Sequence, residues 1–432
     1  EKLNGYGPLA GVKVVELCEW VAAPACVRCL SEMGATVIKV EPPYGDAQRT
    51  QGPGFGCEQT DMEDPTIDLN NTNKNFVSIN LKNEEGMKFM KKLLADADIF
   101  VNNLRDKALN KMGLDYETLH KEFPTLIWAQ MRGYGEYGPE KDSPGFDAVC
   151  WAARGGVANV FREDGESPAI APQAFGDYNV GHMLATGIVS ALFNRTRTGK
   201  GEKVVTNLYA GAIWGGNIGI CATQFGAPYP KSRKHVPNPF NNTYRTYDDK
   251  WIYICMPQYD KYYPMMMGLF GHEDQIENPD TNNLTSLKAS GKNVEVIDWL
   301  EKAFAKKTFD EWMAIFKENE VPAQKCFRYT DVVKDEEAYD NDALRMVEYE
   351  AYGKRALPMT PVRFGSYGDP PVVLSKPIGY HTAEFMHDYG YSDEEIAKIA
   401  EDGGVVVYDG PEIEDRIFVS KRQAAGEAPC NW

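Results

Sequence analysis

The sequence predicts an α/β fold built on a parallel sheet covered by helices. Two observations carry this reading. Short β-branched runs alternate with helical stretches from Val12 to Met131, and the alternation opens with a compact β-α-β unit. Val12–Leu17 (VKVVEL) is the first strand. A helix over Pro24–Met33 follows, with Pro24 in its first turn. Gly34-Ala35 closes that helix, and Thr36–Val40 (TVIKV) is the second strand. Val77–Leu81 reads as a third strand, Glu84–Leu94 as a helix, Ile99–Asn102 as a fourth strand and Thr125–Met131 (TLIWAQM) as a fifth. Ligands in such sheets bind at the carboxyl ends of the strands.

From Asn179 to Arg195 the apolar positions recur at helical spacing. Thr198-Gly199-Lys200-Gly201 interrupts, and Lys203–Leu208 restarts as a strand or a helix entry. Gly211, Gly215 and Gly219 recur at a spacing that lets another backbone approach closely, so tight helix packing is expected there. Tyr229–Asn242, rich in Pro, Asn and Lys, reads as a boundary. Beyond it Trp251–Cys255 is a strand and Gln258–Leu269 a helix. Thr308 and Glu311 form a capping box for a helix over Phe309–Glu318, and Ser392 and Glu395 form another for a short helix through Ile399. Between them, a mixed stretch runs to Pro377. The expected division is 1–225, 226–330 as a smaller second domain, and 331–432.

Lys and Arg number 46 against 63 Asp and Glu, so the net charge is 46 − 63 = −17. Apolar residues at 43% and charged residues at 25% are those of a globular chain, which excludes disordered and fibrous classes. The acidic balance argues against nucleic acid as a partner, yet leaves room for one anionic ligand held by a local basic cluster. Nine scattered Cys suit a reducing compartment. Glu1-Lys2-Leu3 opens no signal-peptide pattern, and the apolar runs Met183–Phe193 and Ala210–Ala222 fall short of the roughly 20 residues of a membrane span. The expectation is a soluble, cytoplasmic protein with no membrane partner.

Gly133-Tyr134-Gly135-Glu136-Tyr137-Gly138 fits G-x-G-x-x-G after a strand. Pro139 and a loop-like segment follow in place of a helix N-terminus, so the dinucleotide reading fails. Cys26 and Cys29 form a C-x-x-C, read as packing residues because no second pair exists for a zinc cage. The six His form no H-E-x-x-H, and no G-x-S-x-G elbow occurs. No metal site is expected, and any chemistry must rest on carboxylates. Asp177, after Gly176 and before a helical run, is the best candidate. An Asp in that place is also a natural helix N-cap. At a helix start it would be exposed, oriented and low in pKa.

These residues resemble family III CoA-transferases. The resemblance rests on Val14–Pro43 (VVELCEWVAAPACVRCLSEMGATVIKVEPP), Asn73-Lys74 leading into Asn80-Leu81-Lys82, and Asn102-Asn103-Leu104-Arg105. Lys111-Met112-Gly113-Leu114, Gly133-Tyr134-Gly135 and Gly138-Pro139 continue it. Gly176-Asp177, with Ala191-Leu192 and Thr198-Gly199-Lys200-Gly201 after it, is the most specific part. Pro377–Thr382 and Gly390-Tyr391-Ser392 complete it, so it covers nearly the whole chain in order. Within the family, Asn238–Asp260 resembles a clostridial subgroup acting on 2-hydroxyacyl and aryl-enoyl CoA esters.

The resemblance implies a Rossmann-like large domain made from both chain ends, a smaller α+β domain in the middle, and an interlocked homodimer. It implies transfer of CoA from an acyl-CoA to a small carboxylic acid, a 2-hydroxy acid or aryl-enoate of amino-acid fermentation. Asp177 would be the nucleophile, passing through anhydride and aspartyl-CoA thioester states, with Asp147 as a helper. Coenzyme A and acyl-CoA enter as substrates, and no tightly bound cofactor is implied. Val21, Ala22, Asn73, Lys74, Asn103, Leu104, Arg105, Lys111, Met112 and Phe146 would line the CoA site. Lys74, Arg105 and Lys111 would supply the local positive charge. Two features depart from the pattern. The position after Glu41, basic in some relatives, is Pro42, and no run of glycines occurs near Tyr229–Asn242 to close over the site. Two other readings use the same fold. A 2-methylacyl-CoA racemase needs a His-Asp pair, but the matching segment is Gly145-Phe146-Asp147, and Phe146 accepts no proton. A non-catalytic acyl-CoA-binding protein would not need Asp177.

Overall fold

The β-branched runs become neighbouring strands because their alternate residues fill opposite faces of one sheet. The computed structural model describes residues 6–428. Its strands are Lys13–Leu17 (β1), Thr36–Glu41 (β2), Lys74–Ile79 (β3), Ile99–Asn102 (β4), Ile127–Arg132 (β5) and Lys203–Asn207 (β6). They lie in the order β3-β2-β1-β4-β5-β6, all parallel, and Val405–Val406 adds an antiparallel edge beside β3. The chain therefore reverses its direction of progress between β1 and β4. In open parallel sheets that crevice is where ligands bind.

The chain divides into two compact units. The first comprises Glu1–Val157, Ile170–Asn217 and Asp335–Trp432. One face of its sheet carries Val15, Ile38, Val40, Val77 and Phe100. The Glu84–Ala95 helix covers that face with Phe89, Leu93 and Leu94, and the C-terminal segment adds Phe385, Met386 and Ile399. The second unit comprises Ala158–Ala169 and Ile218–Lys334. It holds a three-stranded sheet, Asn241–Arg245 (β7), Trp251–Cys255 (β8) and Ala323–Lys325 (β9), packed against helices through Phe304, Trp312 and Tyr244.

The other face of the large sheet carries buried charge. Glu16 on β1 stands opposite Lys39 on β2. The Lys39 ammonium lies 3.2 Å from Glu16 and 2.8 Å from Asp46, and the Lys74 ammonium lies 2.8 Å from Glu16. Glu41 accepts the Asp46 N–H at 3.2 Å and pairs with Arg49 at 2.9 Å. Lys39, Lys74 and Arg49 together balance Glu16, Asp46 and Glu41, as burial requires.

Several expectations shift. The third strand starts at Lys74 rather than Val77, because Lys74 and Asn75 pair with β2 despite their polarity. The helix expected from Asn179 spans Phe175–Thr198. Of the three spaced glycines only Gly211 is tightly packed, where a Cβ would meet Val180 Cγ2 at 2.3 Å. Gly215 faces open space and Gly219 makes ordinary contact, because the helix breaks at Gly216. Within the stretch that read as mixed, Leu344–Tyr349 and Gly353–Pro358 form an antiparallel hairpin. Both capping boxes are present, at Thr308 and Ser392. No helix among the described residues is long and apolar enough to cross a membrane.

Candidate active site

The loops at the carboxyl ends of β1, β4 and β5 enclose a cavity of about 360 Å³. Glu19, Trp20, Val21 and Ala22 enter after β1, Asn103, Leu104 and Arg105 after β4, and Arg132–Tyr134 after β5. Phe146 and Asp177 complete the wall.

Asp177 is brought there by the 24-residue helix Phe175–Thr198. It is not the N-cap that its sequence context offered. Ala174 caps the helix in a left-handed conformation, φ 57°, and Asp177 sits inside the first turn. Gly176 is required by its neighbours. A Cβ there would fall 2.2 Å from Asp147 Oδ1 and 2.3 Å from the Trp151 ring. Absence of a side chain lets Asp147 and Trp151 close against the helix start.

The electrostatics reverse the expectation of a low-pKa, exposed carboxylate. Burial, then the charge of Asp147, pushes the Asp177 carboxyl up to about 7. The helix dipole is outweighed. Asp147 is buried and itself raised by burial, while the backbone N–H groups of Gly176 and Asp177 oppose that rise. The Asp147 Oδ1 has no hydrogen-bond partner among the described residues. Asp147 begins a π-helical turn, Ala148–Arg154, a rare geometry found mostly at functional sites.

Seven expected site residues meet in this cavity: Asp177, Val21, Ala22, Asn103, Leu104, Arg105 and Phe146. Asp147 lies directly behind it. Arg105 is exposed and makes no ion pair among the described residues. Lys111 and Met112 lie elsewhere, on a groove of about 1060 Å³ together with Lys82, Lys88, Lys91 and Lys92. Of these four lysines, only Lys82 stood in the motifs noted above. Lys88, Lys91 and Lys92 lie on the Glu84–Ala95 helix, which local sequence reads as ordinary solvated surface, and Lys88 and Lys91 are paired with Glu84, Glu85 and Glu122. Asn73 and Lys74 line a third opening. The Lys74 ammonium offers no open charge there. It is buried against Glu16, the Pro24 carbonyl and Asn71, and burial lowers its pKa to about 8.

Gly133 serves close packing rather than a pyrophosphate. A Cβ on it would sit 2.7 Å from the Gly145 Cα, and no helix follows directly. Cys26 and Cys29 are buried with thiols pushed up by burial, Cys29 to about 12, as packing residues should be. Among the described residues no group of His, Cys, Asp and Glu is arranged to hold a metal ion.

Comparison with known proteins places the chain in a family. The model of CoA-transferase family III matches residues 9–382. The chain is 40% identical to cinnamoyl-CoA:phenyllactate CoA-transferase of Clostridium sporogenes, over 94% of this chain and 98% of that one. It is 39% identical to (R)-2-hydroxy-4-methylpentanoate CoA-transferase of Clostridioides difficile, over 93% and 100%. A solved structure from M. tuberculosis superposes with a TM-score of 0.75 at 28% identity, over 88% of this chain and 100% of that one. A CAIB/BAIF family protein from Brucella suis gives 0.72 at 26%, over 89% and 100%. A family match across most of the chain, and two transferases near 40% identity over nearly its full length, lead to one conclusion: the chain belongs to CoA-transferase family III and is a CoA-transferase.

Proposed function

We propose that the chain moves CoA reversibly from an acyl-CoA thioester to a free carboxylic acid, with Asp177 as nucleophile. The Asp177 carboxylate attacks the thioester carbonyl, the C–S bond breaks, and CoA leaves as thiolate with an aspartyl–acyl anhydride behind it. The thiolate attacks the Asp177 carbonyl and expels the donor acid, leaving an aspartyl-CoA thioester. The acceptor carboxylate attacks that thioester, releasing the thiolate and forming a second anhydride. The thiolate then takes the new acyl group and Asp177 is restored. Each step exchanges one activated acyl bond for another, so no other energy source is needed.

The observation that carries this reading is Asp177 itself, a half-buried carboxyl raised to about 7, facing the crevice on a rigid helix. A carboxylate needs no general base, and poor solvation makes it a stronger nucleophile. CoA is long and polyanionic. Arg105 offers an unpaired cation at the cavity, and the Asp106–Met112 helix leads from there to the lysine-rich groove at Lys111. We take the acid to be a 2-hydroxy acid or aryl-enoate, because the two clostridial relatives are named for such substrates. We take the assembly to be an interlocked homodimer. Exposed Tyr178, Val189 and Phe193 on one long helix, and Trp214 on the next, support an apolar contact face.

Trapping with hydroxylamine during turnover, read by mass spectrometry, is expected to convert Asp177 to its hydroxamate. Asp177→Ala is expected to lose at least about 10³-fold in transfer. Full activity in that variant, or an unmodified Asp177 during active turnover, contradicts the mechanism. Exchange of the α-proton with solvent deuterium without transfer would mark a racemase instead.

A further inference from the structure

The turn after β1 is held from both sides. Trp20 has φ 69°, a left-handed conformation that a bulky residue adopts only under constraint. Its N–H donates to Asp46 Oδ1 at 3.0 Å, and the other Asp46 oxygen receives the buried Lys39 ammonium at 2.8 Å. Lys39 also donates to the Cys18 carbonyl at 3.0 Å. On the opposite side the Asn103 amide brackets Glu19, accepting its N–H at 3.2 Å and donating to its carbonyl at 2.7 Å. Backbone strain held this firmly marks a functional element.

The turn presents two side chains to the cavity that holds Asp177. The Trp20 ring meets Phe146 at 5.5 Å and 84°, an edge-to-face corner. Phe146 keeps 56% of its surface exposed, so the corner has open aromatic face. Glu19 is half-buried, and its carboxyl makes no hydrogen bond or ion pair among the described residues. Burial and the charge of Asp46 raise its pKa. Its oxygens are open to the cavity, where a donor on the ligand can meet them. The cavity, about 360 Å³, suits the acid rather than the whole of CoA. Within the proposed class, a 2-hydroxy acid brings its hydroxyl as a donor at neutral pH, and an aryl-enoate brings none.

We propose that the Glu19–Trp20 turn selects the acid: the Trp20–Phe146 corner receives an arene, and the Glu19 carboxyl receives a 2-hydroxyl. Asp46 and Asn103 are positioning residues that fix the turn. The inference rests on the transferase reading for its ligand class. A flat ring is favoured over a branched chain because it completes the aromatic corner by stacking as well as by area.

The test uses the full chain carrying Asp177→Ala, so that acids bind without turnover. Propionate, 3-phenylpropionate, 2-hydroxy-3-phenylpropionate and 4-methylpentanoate are titrated by calorimetry. Trp20→Gly removes the ring and suits the left-handed backbone, so the fold is relieved rather than stressed. In that variant, and in Phe146→Ala, the preference for 3-phenylpropionate over propionate is expected to fall about tenfold or more. In Glu19→Ala the preference for the hydroxy acid is expected to vanish, while Glu19→Gln, which still offers an acceptor oxygen, keeps part of it. Equal weakening of all four acids, unchanged ratios, an equal loss for 4-methylpentanoate, or no binding of any acid before the selectivity substitutions would each overturn the proposal. Hydroxylamine trapping on the wild-type chain reports the transferase reading separately. Trapping that fails while the ratios shift as expected removes the mechanism and leaves the selection. Trapping that succeeds with unchanged ratios removes the selection alone.

Discussion

An aspartate buried beside another aspartate keeps its proton to a pH where surface carboxylates have long lost theirs. Asp177, raised to about 7, should therefore give kcat/KM an acid limb near neutrality, falling about tenfold per pH unit below it. Asp147→Asn removes the neighbouring negative charge, which makes ionisation easier, so the limb should move to lower pH. An unmoved limb would show that Asp147 does not act on Asp177 electrostatically. The same shift has a stability sign. The folded pKa lies above the unfolded value of about 3.9, so the group favours the fold below that pH and loses this contribution as pH rises to about 7. Melting curves of Asp177→Asn against wild type should show the variant gaining between about pH 4 and pH 7. A gap independent of pH would contradict the shift. At this scale the place of Asp177 beside a helix start was legible, because glycine, aspartate and a following helix stand together in the chain. Its raised pKa was not, since Asp147 and Trp151 reach it only through the fold. Nothing near Lys74 in sequence marks a lysine bound for a buried glutamate.

The helix that carries Asp177 starts where local propensity opposes it. Gly176 disfavours helix, which is why the sequence places the start later. Contact with Trp151 and Asp147 overrides that preference. Gly176→Ala improves local propensity yet forces a clash, so it should destabilise by about 1–3 kcal/mol and abolish most transfer. Thermal melting and turnover together check this, and a stabilised, active variant would refute the close approach. Periodic and capped elements were legible: the early strands, the Glu84–Ala95 helix and both capping boxes. The Leu344–Pro358 hairpin was not, because buried Arg345 and exposed Met346 invert its alternation, Lys354 and Arg355 stand side by side, and Gly353 opens its second strand. The Val405–Val406 edge is too short to carry any pattern.

Across the whole chain a charge of −17 coexists with local cations at Arg105 and along the Lys82–Lys111 groove. Acyl-CoA binding should thus weaken with added salt, as attraction to an acidic protein's basic patch does. KM for acyl-CoA is expected to rise severalfold between low and high ionic strength with kcat nearly constant. A KM that falls with salt would place CoA away from these residues. Light scattering should return twice the chain mass, and a monomer that is fully active would remove the interlocked dimer. Family membership was legible from motifs spread in order along the chain. The division into units was harder to read, since Ala158–Ala169 groups with residues far along the sequence.

The buried charges on β1, β2 and β3 also bear on how accurately the sheet assembles. Apolar strands such as these could pair in neighbouring registers at little cost. A slip of one residue between β1 and β2 would turn Lys39 toward Phe89 and Leu93 and leave Glu16 facing no cation. Each such misalignment strands a full charge in an apolar layer, a penalty of several kcal/mol. Only one alignment neutralises Glu16, Lys39, Asp46 and Lys74 together. The ion chain thus proofreads the sheet as it forms, and its members should tolerate exchange only in matched pairs.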